Sequence, residues 1–426
     1  MPEQTAPATA PPPRPDGWAP ALRVRDFRLW WLAQMAVNVS VQMIGVAIGW
    51  QVYTAHRSTL ALGLIGLAEF VPLFVLALPA GHLADRLPRR LIFGGSLMLG
   101  AAVAGGLAVI SAAHVTAELP YLGLAVGVGV TMALESPASG AMPPTLVSPQ
   151  LLANAMSLRS VATASASVLG PALGGVLFAV SAPLPYLIAC GACVGGAVCA
   201  LAMRPSAAMP AGTRSEDLHS VLEGLRFVRR TPVLLGAILL DLLGVLFGGA
   251  VGLLPVFARS YLHVGAAGLG VLRAAPAIGA LLGGAVVTRR PLARDNGPVL
   301  LTVVAVFGAC IVVFGLSQSF ALSLAMLGLS GFADLFSMQI RLTVSALTTP
   351  ERLRGRVGAV EMVFIGASNE LGTFESGLAA SLIGAVPAVV AGGALTIMIA
   401  IGWRWAFPAL ARVDRLQDLS PEPETA

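Results

Sequence analysis

Lysine is absent from this 426-residue chain; all 26 basic residues are arginine. A phosphate-binding loop of the G-x-x-x-x-G-K-[ST] kind needs its lysine, so the chain alone is excluded as an ATP-driven pump. Schiff-base chemistry is excluded with it. Charge of either sign is scarce, at 11% of residues, against roughly 25% in a soluble domain. With 56% hydrophobic residues and a mean hydropathy of +0.83, too little polar surface remains to cover a water-exposed globule. Lipid is the solvent this composition calls for. Histidine is also sparse: His56, His82, His114, His219 and His263 fall near loops or span ends without metal-ligand spacing. No metal site, cofactor, catalytic cluster or nucleic-acid partner is expected, and the chain is not read as an enzyme. Cys190 and Cys193 form a C-x-x-C, but inside the apolar run 186–203 and with no second pair nearby. They read as small packing residues.

Hydrophobic stretches long enough to cross roughly 30 Å of hydrocarbon recur along the chain. They cover 28–54, 60–83, 91–113, 119–142, 152–180, 184–203, 233–258, 265–288, 298–317, 319–345, 357–383 and 387–408. Each is read as a helix, because backbone polar groups in lipid must be satisfied within the segment. The fold class expected is an all-α membrane protein of twelve transmembrane helices. The connections alternate in charge: arginines gather at 23–28, 86–90, 159, 204–230, 289–294, 352–356 and 404–415, whereas the opposite side has Arg57 and Arg259. Arginine-rich short loops stay in the cytoplasm, so both termini are expected there, in a bacterial inner membrane. Trp30, Trp31, Trp403 and Trp405 fall at the boundaries expected of an aromatic belt.

Residues 1–26, rich in Pro and Ala and without an apolar core, are expected to form a disordered cytoplasmic tail rather than a signal peptide. Residues 410–426 are expected to form a similar tail. The longest internal connection, 204–231, lies in the middle. There Leu218, Val221, Leu222, Leu225 and Val228 recur at helical spacing, with Glu216 and Asp217 before them and Arg226, Arg229 and Arg230 after. That pattern predicts an amphipathic helix on the membrane surface.

Leu146 to Leu152 echoes Leu347 to Leu353, each a Ser/Thr and Pro leading into a span. Gly81 to Arg86 echoes Gly284 to Arg289 at nearly the same offset. Two echoes at one offset indicate two similar six-helix halves, at 27–203 and 232–409, joined by the central connection.

The stretch Gly81-His82-Leu83-Ala84-Asp85-Arg86-Leu87-Pro88-Arg89-Arg90 resembles the G-x-L-a-D-R-x-G-R-R signature of the major facilitator superfamily, with Pro88 in place of the usual Gly. Gly170-Pro171-Ala172-Leu173-Gly174-Gly175 resembles the G-P-x-x-G-G run associated with exporters of that superfamily. Asn369 to Gly377 is similar to its enterobactin-exporter branch. The resemblance covers nearly the whole chain. It implies a transporter that works by alternating access and carries a small organic molecule, such as a siderophore, outward against protons. A multidrug efflux pump of the same fold is the alternative, and a proton-coupled importer the next. A monomer is expected.

Asp85 with Arg86, Arg89 and Arg90 forms a charge cluster suited to latching two helices in one state and releasing them in another. The arginines also set topology; Asp85 supplies a partner that topology does not require. The run containing Gly170, Pro171 and Gly174 permits close helix approach and a bend.

Ionisable residues within spans default to function. They are Glu69, Glu135, Asp241, Arg273, Asp334, Arg341, Glu361, Glu370 and Glu375. The resemblance places spans four and seven on the central cavity, which singles out Glu135 and Asp241 for proton coupling. Glu375, on one face with Glu361 and Ser368, is a third candidate, for a proton site, an outer gate or a structural role. Asp334 and Arg341, seven residues apart, share a face and are candidates for the substrate cavity. Gln34, Asn38 and Gln42 form a polar stripe that either faces a wet cavity or bonds neighbouring helices.

Overall fold

The computed structural model describes residues 19–204, 218–289 and 296–414. Its framework is twelve long helices: α1 (Arg25–His56), α2 (Thr59–Arg86), α3 (Arg89–Ala112), α4 (Glu118–Gly140), α5 (Leu152–Val180), α6 (Leu184–Leu201), α7 (Pro232–Gly248), α8 (Gly265–Arg289), α9 (Asn296–Leu316), α10 (Phe320–Thr348), α11 (Arg354–Ile383) and α12 (Ala385–Ala406). Eleven of these passages are long and apolar enough to cross a membrane, the seventh running on to Tyr261. The twelfth, α11, is 30 residues long. Glu361, Asn369, Glu370 and Glu375 make it more polar, and it packs against α2, α7 and α12. Large apolar side chains such as Val180, Leu316 and Leu382 are left exposed, as a lipid-facing belt requires.

The expected span 233–258 is broken. The α-helix stops at Gly248, and Gly249 turns out of helical geometry with ψ 87°. Short turns follow from Val251, ending in a π-type stretch, Phe257–Tyr261. Two successive glycines cost helix propensity, and Pro255 removes a backbone donor beyond them.

Helix contacts repeat at an offset of six. α1 packs on α5 and α6, as α7 packs on α11 and α12; α2–α4 matches α8–α10; α3–α6 matches α9–α12; and α3–α4 matches α9–α10. These are the two pseudo-symmetric halves that the echoes in sequence indicated. Each of the Pro149 and Pro350 echoes forms a short 3-10 turn leading into α5 or α11. The expected side-chain cap at Ser148 is not made there. The Gly81 and Gly284 echoes end α2 and α8.

The halves join through two exchanged pairs, α2 with α11 and α5 with α8. Their closest approaches lie toward the end bearing the α1–α2 turn. Gly63 and Gly66 sit against Thr373 and Phe374, and Gly175 sits against Ala266 and Gly270. Tyr53 Oη and Ser260 Oγ are 2.9 Å apart, and the Arg259 guanidinium lies 5.7 Å from the Trp50 ring centroid. One apolar cluster here draws on both halves, with Trp50 and Leu62 from one and Leu254 and Phe257 from the other. Toward the end bearing the termini, Phe74 and Val75 of α2 and Met362 of α11 are exposed.

Several peripheral expectations change. Trp30 and Trp403 are buried in helix packing rather than in a lipid belt, Trp403 donating to the Gly236 carbonyl at 3.0 Å. Trp405 is exposed, and Trp31 donates to the Leu158 carbonyl at 2.9 Å. Packed structure is present before residue 27: Ala21 is buried and donates to Asn154 Oδ1 at 3.1 Å. It also extends past residue 410, where Asn296 and Gly297 donate to the carbonyls of Asp414 and Val413. The linker helix, Leu218–Arg230, packs Leu225 and Val228 against Leu234, Leu353 and Val357 instead of presenting them to lipid. Its Glu223 pairs with Arg356. Glu216 and Asp217, expected at its start, lie outside the described residues, as do Arg290 and Arg294.

Candidate functional site

Two cavities occupy equivalent places in the two halves. The first, about 170 Å3, is lined from α1 by Asn38 and Gln42, from α4 by Thr131 and Glu135, and from α5 by Thr163 and Ser167. The second, about 150 Å3, is lined from α7 by Asp241, from α10 by Asp334 and Arg341, and from α11 by Glu361, Ser368 and Asn369. Elements one, four and five correspond to seven, ten and eleven, so these are matching walls of the two halves. A polar lining in so apolar a chain is costly unless water or a ligand meets it.

The N-terminal wall is uncharged apart from Glu135. Gln34 Nε2 donates to Glu135 Oε1 at 3.0 Å and to Asn38 Oδ1 at 3.1 Å. Ser139 also bonds Glu135, and Arg159 lies close enough to act on it electrostatically. Gln34 is buried and bonds α4, while Asn38 and Gln42 line the cavity.

The C-terminal wall is charged. Arg341 Nη1 meets Asp241 Oδ2 at 2.5 Å, with both side chains largely buried, and Arg341 Nε donates to Ser337 Oγ at 3.2 Å. Asp334 and Glu361 lie within electrostatic reach of the same guanidinium. Asp334 and Arg341 thus share a face, but the direct partner of Arg341 is Asp241 on another helix. Glu375 lines neither cavity; it stands toward the sealed end of α11 beside Ser376, whose Oγ donates to the Gly249 carbonyl at 3.1 Å.

The motif after α2 braces the N-terminal half. Arg89 Nη1 donates to the Ala141 carbonyl at the end of α4 at 3.0 Å, and Arg90 Nη1 to the Met203 carbonyl after α6 at 2.7 Å. Gly81 faces open space and Arg86 is exposed; the Asp85 side chain lies outside the described residues. In α5, a side chain added at Gly170 would meet the Gln42 side chain at 2.6 Å, and one at Gly174 the Met43 carbonyl at 2.8 Å. Gly175 and Pro171 instead contact α8. One short run therefore lets α5 press on α1 within its half and on α8 across the seam.

Two features shared between the halves are not legible in the sequence as parts of a site. One is the seal of Trp50, Tyr53, Arg259 and Ser260 at the end bearing the α1–α2 turn. The other groups Glu69 of α2, Arg273 of α8 and Glu370 of α11, which interact electrostatically. All three were visible as charges within spans, but their meeting was not.

Two six-helix halves exchanging contacts, each carrying a polar wall at the equivalent place, define a secondary transporter of the major facilitator type. The chain belongs to the family of transmembrane secretion effectors, whose pattern it matches over residues 16–425. It is 30% identical over 346 residues to the enterobactin exporter EntS of Citrobacter koseri, covering 78% of this chain and 80% of that one. It is 28% identical over 342 residues to EntS of Escherichia coli O1:K1, with the same coverage. Among solved structures, a bacterial homologue of the human lysosomal transporter Spinster, inward-facing and occupied, superposes with a TM-score of 0.72 at 15% identity. That match covers 94% of this chain and 99% of the other. A POT family transporter with 5-aminolevulinic acid gives a TM-score of 0.71 at 11% identity, covering 91% and 97%. This protein is a multi-pass membrane transporter of a small molecule.

Proposed function

We propose that this protein exports a siderophore such as enterobactin across a bacterial inner membrane, in exchange for protons, by alternating access. The observation that carries the reading is the pair of matching polar walls between halves that are sealed at one end. The names of its relatives support the substrate class. The arginine asymmetry supports cytoplasmic termini, which makes the sealed end the outer one and this conformer open to the cytoplasm. The units 27–203 and 232–409 are the bodies that rock, as a monomer, and 204–231 tethers them. Asn38, Gln42, Asp334 and Arg341 meet the substrate. Glu135 and Asp241 face it from equivalent walls, and Glu375 stands at the outer gate. Gly81, Asp85, Arg86, Arg89 and Arg90 form the cytoplasmic latch, engaged when that end closes, while Gly170, Pro171 and Gly174 serve close packing.

A second reading, multidrug efflux, is favoured by the apolar part of the C-terminal wall, where Met338, Leu342, Phe364 and Ile365 line the cavity. The test uses purified protein in inverted vesicles with an acidic interior and a pH-sensitive dye. Enterobactin added outside is expected to accumulate together with proton efflux. Coupled uptake of ethidium but not enterobactin would transfer the protein to the multidrug reading, and uptake without proton movement would end the antiport claim.

A further inference from the structure

We propose that the coupled proton is held not on the cavity walls but in the seam between the halves, by the Glu69–Glu370 carboxylate pair with Arg273 as its counter-charge. The inference rests on the antiport reading above and names its proton site. Three helices from both halves converge there. On α2, Gly66 lies one turn before Glu69; a side chain added at Gly66 would stand 2.9 Å from Thr373 and 3.4 Å from the Glu370 carbonyl of α11. That approach puts Glu69 and Glu370 on facing turns of the α2–α11 contact. Arg273 enters from α8, its Nη1 donating to the Gly45 carbonyl of α1 at 3.3 Å. The guanidinium is thus anchored on backbone, and both carboxylates feel its charge. Of the other elements packed on the pair, α4 brings the Gly129 backbone against Glu69, and the turn after α7 brings Gly252 against Thr373. The charged groups acting on one another in the seam are therefore two carboxylates and one guanidinium.

That count sets the chemistry. One guanidinium balances one carboxylate, so the set is neutral only when the other carboxylate carries a proton. An unbalanced charge is tolerated while the seam is wet and opposed when it is dry. Reorientation passes through a state in which both ends are closed and the seam is driest. The substrate-free carrier therefore returns with the proton and is held back without it, whereas on the loaded leg the binding free energy of the substrate offsets the cost of the unbalanced charge. The proton binds as a carboxyl O–H when the outer seam parts, and leaves to water on the cytoplasmic side. Nothing is oxidised or reduced, and no other group is transferred. Asp241, already neutralised by Arg341, and Glu135, bonded to Gln34, are left to the substrate.

The assignment is tested first without substrate. Infrared difference spectra of the full-length protein in lipid, titrated from acid to alkaline, are expected to show a protonated-carboxyl band. It should be lost or shifted in both E69Q and E370Q and retained in E375Q. A titrating band identical in wild type, E69Q and E370Q, or no such band at all, overturns the assignment. In the vesicle assay, E69Q and E370Q are expected to lose proton-driven accumulation while keeping substrate exchange between the two sides, which needs no proton-loaded return. T373A, which alters seam packing without changing charge, should keep coupling. Retained proton coupling in E69Q and E370Q overturns the assignment and leaves antiport standing; a wild type that moves no protons overturns antiport itself.

Discussion

At the scale of single residues, the Asp241–Arg341 pair carries the sharpest consequence. Its charges meet at 2.5 Å with 12% and 14% of the side chains exposed, so removing one strands the other in a low-dielectric wall. Arg341→Ala is expected to lower stability by about 3–5 kcal/mol. The double variant Asp241→Asn with Arg341→Gln should restore much of that, and thermal unfolding of the detergent-solubilised protein measures both. Equal loss in the single and double variants would contradict a charge-pair origin. Glu135→Gln is expected to weaken export through the loss of a group facing the substrate, while leaving a monodisperse folded protein, read by vesicle uptake and gel filtration. The charges themselves were legible, because an ionisable side chain within an apolar span stands out. Their partners were not. Spacing within α10 put Asp334 and Arg341 on one face, but Asp241 lies on another helix, 100 positions earlier in sequence, and periodicity carries no information across that gap.

At the scale of elements, helix length and count followed from apolar runs bounded by Arg, Gly and Pro, and α11 was recognised despite its three glutamates. The break in α7 was not, although Gly248 and Gly249 were its local signal: an apolar run looks the same to hydropathy whether its helix is whole or interrupted. Gly175 gives a direct test of how the elements meet. A side chain there would press on the backbone of α8, at Ala266 and Gly270, which has no rotamer through which to yield. Gly175→Val is expected to oppose closure of the sealed end by about 1–3 kcal/mol, shifting the population toward the form open at that end by roughly five- to 150-fold. Increased labelling from the outside of a cysteine placed at Gly49 would report it. The linker helix gives another. Val228 is 1% exposed in a cluster with Leu353 and Val357 at the base of α11, so Val228→Asp should undock the helix. Faster proteolytic cleavage between residues 204 and 231 checks that expectation, and an unchanged cleavage rate would contradict it.

At the scale of the whole molecule, the two-half plan was legible because both echoes share one offset, and both fall at corresponding helix ends in the structure. Which end is sealed was not legible. Closure depends on Gly63 and Gly66 meeting Thr373 and Phe374, and on Tyr53 meeting Ser260, contacts between segments roughly 200 to 300 residues apart whose residue types also suit ordinary packing. On the alternating-access proposal the halves rock against each other, so that one end opens as the other closes. Paired spin labels measure this most directly, after the four native cysteines, all free, are replaced. One pair, at Met156 and Val286, spans the α5–α8 seam near the termini; another, at Val180 and Tyr261, spans the sealed end, and all four positions are exposed. On adding the transported substrate, the first distance is predicted to shorten as the second lengthens. Distances that stay constant, or that change in the same direction at both ends, would contradict alternating access in this protein.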